Sequence, residues 1–254
     1  MLKQLTFYIL LLLILAMGCA SDAAHKDPKA LLLKSIERSG GQYFLNSHIT
    51  FNVKDLNYSI YRKDIINNFE VTREVDTTKY KATYKNGSEA YFINGIEQEE
   101  TFYSKRFIEA KLAGFVYIFS IPFVFDHNSV ILDQLEDVTI GKTNYHTLHV
   151  SFKPLLDDPE NEFYLYINTE SFLVDFFTEK YDLTGERILF RKAINRRQID
   201  SIQIADQYIL APKRGDSTEL KDIYKLYNNL TLEDLEKVEL RNVKIKLLEV
   251  DESL

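Results

Sequence analysis

Apolar residues recur at two different spacings along the chain, and the change between the spacings separates helices from strands. Asp27 and Pro28 form an N-cap and first-turn pair, apolar residues follow at helical spacing, and Gly40-Gly41 ends the run. From Ile49 onward the spacing is two, which places alternate side chains on one face of a strand. The pattern therefore predicts one amphipathic helix followed by β structure.

Hairpin signals connect several of the predicted strands. Asn86-Gly87 and Asn94-Gly95 are dipeptides that favour two-residue turns between antiparallel strands. They predict an antiparallel meander. The predicted strands cover residues 49–53, 69–75, 80–85, 88–93, 96–102, 138–140, 145–152, 163–167, 172–177, 187–190 and 202–210.

A second helix interrupts the strands. Apolar residues lie at helical spacing over residues 104–119, and Pro122 ends the run. A short helix over residues 217–228 and an edge strand over residues 238–250 complete the pattern. Because strands and helices do not alternate regularly, a doubly wound nucleotide fold is disfavoured. The sequence predicts a mainly β, α+β single domain over residues 27–254.

Composition agrees with a packed β domain and narrows the range of partners. Hydrophobic residues make up 45% of the 254 residues, and the 17 Phe and 16 Tyr favour half-buried sheet surfaces. The formal net charge is −7, or −8 without Lys3, so a polyanion meets a repulsive average field. We therefore expect no nucleic-acid partner.

The N-terminus has the anatomy of a secretory signal. After the basic start at Lys3, the apolar run from Leu5 to Leu15 is too short to span a bilayer, and Ala16, Met17 and Gly18 lead from it to Cys19. This arrangement predicts a signal peptide over residues 1–18 and a short polar tether over residues 19–26.

Cys19 is the only cysteine, which excludes an intramolecular disulfide and a cysteine-based metal cluster. Its small neighbours resemble the bacterial lipobox, in which the thiol is alkylated by diacylglycerol before cleavage. Ala16 departs from that motif, which usually has Leu there. The alternative is ordinary cleavage near Ala20, which gives a periplasmic protein without an anchor. The position of the only cysteine favours an exported lipoprotein of the cell envelope, held on the outer membrane through lipid on Cys19.

Six segments, taken in order, carry a resemblance to a known family. They are Gly40-Gly41, NSHITFNV (46–53), YIFSIPFVFDHNSV (117–130), TIGKTNYHTLHVSF (139–152), YLYINTESFLVDFFTE (164–179) and RILFRKAINRRQIDSIQIADQY (187–208). Together they resemble a family of uncharacterised secreted proteins of Gram-negative bacteria that is related to the lipoprotein-localisation-factor fold. The resemblance runs from about Ala30 to Leu210 and does not cover residues after Ala211.

The resemblance implies a strongly curved antiparallel half-barrel whose concave face is covered by helices. In the related carrier and receptor proteins this apolar cavity takes acyl chains, so the implied ligand is an acyl chain or another hydrophobic molecule. Helical spacing by itself favours core packing for the same side chains, and the two interpretations coincide where a covering helix lines a cavity. The candidate lining residues are Leu112, Phe115, Phe119, Phe123 and Phe125.

One basic cluster, formed by Arg187, Arg191, Arg196 and Arg197, is a candidate for contact with a ligand headgroup. Arg187, Arg191 and Arg197 share parity along a strand, so that their guanidinium groups could line one face and meet phosphate or carboxylate. A polar outer face paired with carboxylates such as Glu186 and Asp200 is the alternative, and it is the favoured one.

No catalytic or metal-binding pattern is recognisable in the sequence. The five histidines include no close zinc-ligand pair, and neither a Gly-rich phosphate loop nor a GxSxG motif is present. We expect no cofactor and no metal, and non-enzymatic binding is favoured over catalysis. Two function classes stay open: a membrane-tethered module that binds a hydrophobic ligand, and an envelope enzyme or structural component that uses the fold as a scaffold.

The N-terminal pattern makes a testable prediction about Cys19. If its thiol carries the lipid, metabolic labelling with a fatty-acid analogue should mark the wild-type protein and leave Cys19→Ser unmarked. Equal labelling of the two proteins would contradict the lipid anchor.

Overall fold

The structure is a computed structural model, and it describes residues 27–64, 66–85, 87–153, 162–181 and 187–249. The predicted signal peptide, the tether and Cys19 lie outside the described residues. None of the helices in the described part of the chain has the length and hydropathy needed to cross a bilayer.

The first antiparallel sheet has seven strands. They are β1 (Ser47–Val53), β2 (Leu56–Lys63), β3 (Ile66–Val75), β4 (Thr78–Lys85), β5 (Ser88–Ile93), β6 (Ile96–Glu97) and β15 (Arg241–Leu247). Their order is β15-β1-β2-β3-β4-β5-β6, so the last strand of the chain pairs with the first. Alternation of buried and half-buried residues along β1 confirms that Ile49, Phe51 and Val53 share the buried face.

The second antiparallel sheet has seven strands in its main path and β8 paired with β9 beside them. Its strands are β7 (Val130–Gln134), β8 (Val138–Ile140), β9 (Thr143–Phe152), β10 (Phe163–Asn168), β11 (Val174–Tyr181), β12 (Arg187–Ile199), β13 (Ile202–Ala211) and β14 (Glu233–Val238). The order of the main path is β14-β13-β12-β11-β10-β9-β7. Within the described residues neither sheet closes into a barrel, so the predicted mainly β, unclosed antiparallel fold is confirmed.

The helices are short and pack on the sheets. They are α1 (Pro28–Ser39), α2 (Gly41–Leu45), α3 (Phe102–Phe107), a π-helical segment (Ile108–Ala113), α4 (Gly114–Phe119), a 3₁₀ turn (Phe123–Phe125), a second 3₁₀ turn (Leu220–Asp222) and α5 (Ile223–Asn228). The predicted cap of α1 is present, because the Asp27 side chain accepts hydrogen bonds from the backbone N–H groups of Lys29 and Ala30, each at 3.0 Å. Residues 102–119 run on as one helix, which we call the covering helix.

The covering helix packs against the inner faces of both sheets. Ile49 of the first sheet, Leu112 of the helix and Ile204 of the second sheet belong to one buried cluster. Burial of such apolar side chains contributes about 1.5 to 3 kcal/mol each to folding. This shared core holds the two sheets around the helix, as the predicted half-barrel with a helix on its concave face requires.

The second sheet is covered on its outer face as well. Tyr166 and Phe190 are fully buried there, in a cluster with Leu220 and Ile223 of the C-terminal segment. As a result, β10 has five consecutive buried residues and no exposed side. The residues after Ala211, which the family resemblance did not reach, therefore complete a third layer.

Three details differ from the sequence prediction. The strand predicted over residues 96–102 has only two residues in β6, because Thr101 accepts a hydrogen bond from the Ser104 N–H and caps α3. The strand predicted over residues 187–190 is extended to residue 199 in β12. Strands β2, β7 and β14 were not predicted.

Gly40 gives a testable prediction for the fold. It ends α1 with φ of +132°, and a Cβ there would lie 3.2 Å from the Ile202 Cα and the Ser201 carbonyl oxygen. We expect Gly40→Ala to reduce the free energy of unfolding by ~3 kcal/mol, because that backbone conformation is open essentially to glycine alone. Gly41→Ala is the matched control, since its φ is +51° and its Cβ would meet nothing within 4 Å; it should lose only ~1 kcal/mol. Equal losses in urea unfolding would contradict this account.

Candidate functional site

A small cavity lies where the end of the covering helix meets the second sheet. Its volume is about 70 Å³. The walls come from α1, α2, the end of the covering helix and strands β11, β12 and β13. A second cavity of about 10 Å³ continues along the helix towards β14, and both cavities are bordered by Ile118, Phe119, Ala205 and Gln207. Phe119 therefore stands between two adjacent spaces.

One wall of the larger cavity is aromatic. The rings of Phe44 and Phe123 are stacked with centroids 4.0 Å apart, and Phe119 lies 6.0 Å from Phe44. Phe119 and Phe123 are half-buried, although they pack on the main core. This wall offers apolar surface that the core does not fully cover.

The wall that the second sheet forms carries polar groups among apolar side chains such as Val174, Phe177 and Ile204. Arg196 donates from Nη2 to the Asp175 carboxylate at 3.1 Å and to the Val174 carbonyl oxygen at 2.7 Å. Gln203 and Gln207 extend this wall along β13. The cavity is thus amphipathic, with aromatic rings on one side and a charged pair and amide groups on the other.

A β-bulge accounts for the presence of Arg196 at the cavity. The pairing of β12 with β13 shifts between Ile194 and Arg197, and Asn195 adopts φ of +48°. The inserted residue changes the alternation of side chains, so that Arg196 reaches the cavity wall. Simple parity along the strand did not single out Arg196.

Two of the three predicted headgroup arginines, Arg191 and Arg197, make internal ion pairs. Arg191 donates to the Glu179 carboxylate at 2.6 Å and to Gln207 at 3.1 Å. Arg197 donates to the Asp206 carboxylate at 3.1 Å. The backbone of Arg187 lies in β12, but its side chain is outside the described residues. Headgroup contact by these residues stays a prediction.

The Arg191–Glu179 pair is buried beneath the covering helix. The exposed fractions of the two side chains are 13% and 6%. Burial, and then the charge of Glu179, raise the pKa of the Tyr117 hydroxyl, which belongs to the same helix. Separation of the two side chains would leave an uncompensated buried charge. The pair therefore holds both polar groups in place on the inner face of the second sheet.

The predicted lining residues occupy different positions. Phe119 and Phe123 border the larger cavity, and Phe115 borders the smaller one. Leu112 and Phe125 are fully buried and border neither of these two cavities. Whether any of the five contacts a ligand stays a prediction.

The described residues around the two cavities form neither a metal site nor a histidine cluster. Among the described residues, no group of three or more His, Cys, Asp or Glu side chains is placed to hold a metal ion. The described histidines have hydrogen-bond partners that do not line either cavity. The pairs are His48 with Ser59, His127 with Ser129, His146 with Asp137 and His149 with Glu162.

Comparison with known proteins gives a family and two similar folds. A family profile described as "Family of unknown function (DUF6503)" matches residues 5–239, a longer range than the resemblance over residues 30–210. A LolA superfamily protein from Nitrosomonas europaea is 10% identical, with 89% of this chain and 96% of that chain covered and a TM-score of 0.48. A DUF1329 family protein from Desulfovibrio piger is 8% identical, with 90% and 95% covered and a TM-score of 0.42. None of the curated proteins is a match.

The difference between the buried and the half-buried rings is testable. Phe125 is fully buried among Tyr117, Phe152 and Phe163, so Phe125→Ala should cost about 3 to 5 kcal/mol of stability. Phe119→Ala should cost less than ~3 kcal/mol, because part of that ring faces a cavity. Urea unfolding of the two variants measures the contrast. A loss for Phe119→Ala as large as that for Phe125→Ala would show that Phe119 belongs to a filled core.

Proposed function

Because the chain belongs to DUF6503, a family of unknown function, we propose its role from the geometry: it binds an acyl chain or another hydrophobic molecule between the covering helix and the second sheet. The observation that carries the proposal is the amphipathic cavity with its aromatic wall. Together with the signal and Cys19, the proposal describes an envelope lipoprotein of the outer membrane or periplasm.

The chemistry of the walls fits a hydrophobic ligand that has a polar end. Small-molecule sites are mainly apolar and aromatic, with a few polar groups that fix orientation. Here the rings of Phe44, Phe119 and Phe123 form the apolar part, and the Arg196–Asp175 pair is the fixed polar part. Both partners of this pair are about one-quarter exposed, so their charges are accessible from the cavity.

The size of the cavity sets a condition on binding. A volume of about 70 Å³ holds a few water molecules. Ligand sites for drug-sized molecules measure ~300 Å³ or more. A ligand with a long chain therefore requires displacement of the rings, and displacement of Phe119 joins the two adjacent cavities. Half-buried rings at the end of a helix are suited to this movement, because they lose fewer contacts than rings in the main core.

The proposal makes a prediction for ligand uptake. Phe119→Ala should bind a hydrophobic fluorescent dye more tightly than the wild type, because loss of the ring merges the two cavities into one apolar space. Dye titration of both full-length proteins measures the difference, and native mass spectrometry after gentle extraction should detect a co-purified hydrophobic molecule in the wild type.

Phe92→Ala is the control for this experiment. Phe92 is a half-buried ring on β5 that borders neither cavity, so its removal should leave dye uptake unchanged. Failure of all three proteins to bind dye, with no co-purified molecule, would leave the scaffold role as the remaining function class.

A further inference from the structure

Arg62 is a buried guanidinium that has no carboxylate partner among the described residues. It lies on the inner side of β2 and is 6% exposed. Among the described residues no acidic side chain is within 4 Å of it to form a salt bridge, whereas Arg191, Arg196 and Arg197 each have one. Cation–π contacts with Phe44 and Phe69 offset part of the cost of burying this charge, but a buried charge without a counter-charge remains costly.

The hydrogen bonds of Arg62 are incomplete. Its Nη2 donates to the hydroxyl of Ser120, which in turn donates to the Val116 carbonyl oxygen. Its Nη1 is fully buried and has no hydrogen-bond partner in the part of the chain that the structure describes. Burial lowers the pKa of Arg62 to about 10, so the group keeps its charge at neutral pH. The side chain therefore presents positive charge and free donors in a dry setting.

The position of Arg62 connects it to the cavity. Its Cζ lies 4.6 Å from the centroid of the Phe44 ring, and the Phe123 ring is stacked on Phe44 at 4.0 Å. Since both groups lie over the face of Phe44 at such short distances, they occupy its two faces. Phe44 and Phe123 border the cavity, so one aromatic ring separates the guanidinium from the space proposed for the ligand.

Building on the proposed function, we propose that Arg62 binds the anionic head of an amphiphile, a carboxylate or a phosphate ester, whose apolar chain occupies the cavity. Rotation of the Phe44 ring brings the guanidinium into contact with the cavity. A planar guanidinium matches either anion through paired N–H donors, and the neutralised charge compensates for its burial. The ligand class is thereby narrowed from hydrophobic molecules in general to anionic ones.

The test compares three ligands that have the same alkyl chain: dodecanoate, dodecyl phosphate and dodecanol. Titration of the full-length protein at pH 8 should give at least about tenfold tighter binding for one or both anions than for the alcohol, as a charge-assisted hydrogen bond provides. Comparison of the two anions identifies the head that is recognised. Arg62→Gln should abolish the preference while leaving dodecanol binding unchanged.

Two further variants control the experiment. Arg73→Gln removes the same charge from an exposed residue that pairs with Asp55, and it should keep the preference for anions. Arg62→Met replaces the guanidinium with an apolar chain, which buried sites often tolerate, and it decides the question if Arg62→Gln does not fold. Circular dichroism verifies the fold of each variant.

The outcomes separate this inference from the proposed function. Tighter binding of an anion in the wild type, lost in Arg62→Gln or Arg62→Met, supports the inference. Equal binding of the two anions and the alcohol, or an anion preference that persists without Arg62, overturns the inference and leaves the proposed function in place. Absence of binding for all three ligands overturns both.

Discussion

Stacking of aromatic rings between the covering helix and the first sheet is the interaction on which the architecture depends. Phe51 is stacked on Tyr58 at 5.2 Å, and Tyr58 is stacked on Phe115 of the covering helix at 4.6 Å. The Tyr58 hydroxyl also donates to the Lys111 carbonyl oxygen at 2.8 Å, within the π-helical segment. Because these contacts fix the helix against one sheet, the second sheet can pack on the other side of the helix, and the half-barrel acquires an interior built around it.

The same rings explain why the interior is not completely filled. The row of aromatic contacts continues from Phe119 to Phe44 and Phe123, where the covering helix ends and the chain turns. Beyond that point the second sheet presents Arg196 and Gln207 among apolar side chains such as Ile204. Rings and polar groups do not interdigitate closely, so space remains between them. The cavity is thus a consequence of where the helix stops and where the bulge turns β12.

Much of the fold could be predicted from local signals in the sequence. The remaining parts could not be predicted, for physical reasons. The cap of α1 by Asp27 and the alternation in β1 are local, and the sequence predicted both elements. Strand β2 begins after Lys54, which adopts φ of +53° without the glycine that would signal a turn, and Arg62 interrupts its apolar face. Strand β10 was predicted over residues 163–167, but its burial on both faces was not, because that burial depends on Leu220 and Ile223, which are distant in sequence.

The cavity was harder to predict than the fold. Of the predicted lining residues, Phe119 and Phe123 border the larger cavity. These two could be predicted, because the end of a helix that covers a sheet is a local feature of the sequence. Arg196 depends on an inserted residue in β12, and a single insertion is invisible in a pattern of period two. Whether the buried Nη1 of Arg62 finds a hydrogen-bond partner depends on residues distant in sequence. No local sequence pattern reports that such a partner is missing among the described residues.

The unequal coverage of the two sheets implies a gradient in local unfolding. Strand β10 lies between helices on both faces, whereas β5 has no buried residue and the two residues of β6 are exposed. Amide protons should therefore exchange with solvent fastest at the β6 end of the first sheet and slowest in β10, whose opening requires disruption of both layers. The weak end also contacts the covering helix, because the ring of Tyr91 on β5 lies 5.8 Å from that of Phe107. The second sheet is thus the more stable part of the fold, and the β6 end of the first sheet is the part that opens most readily.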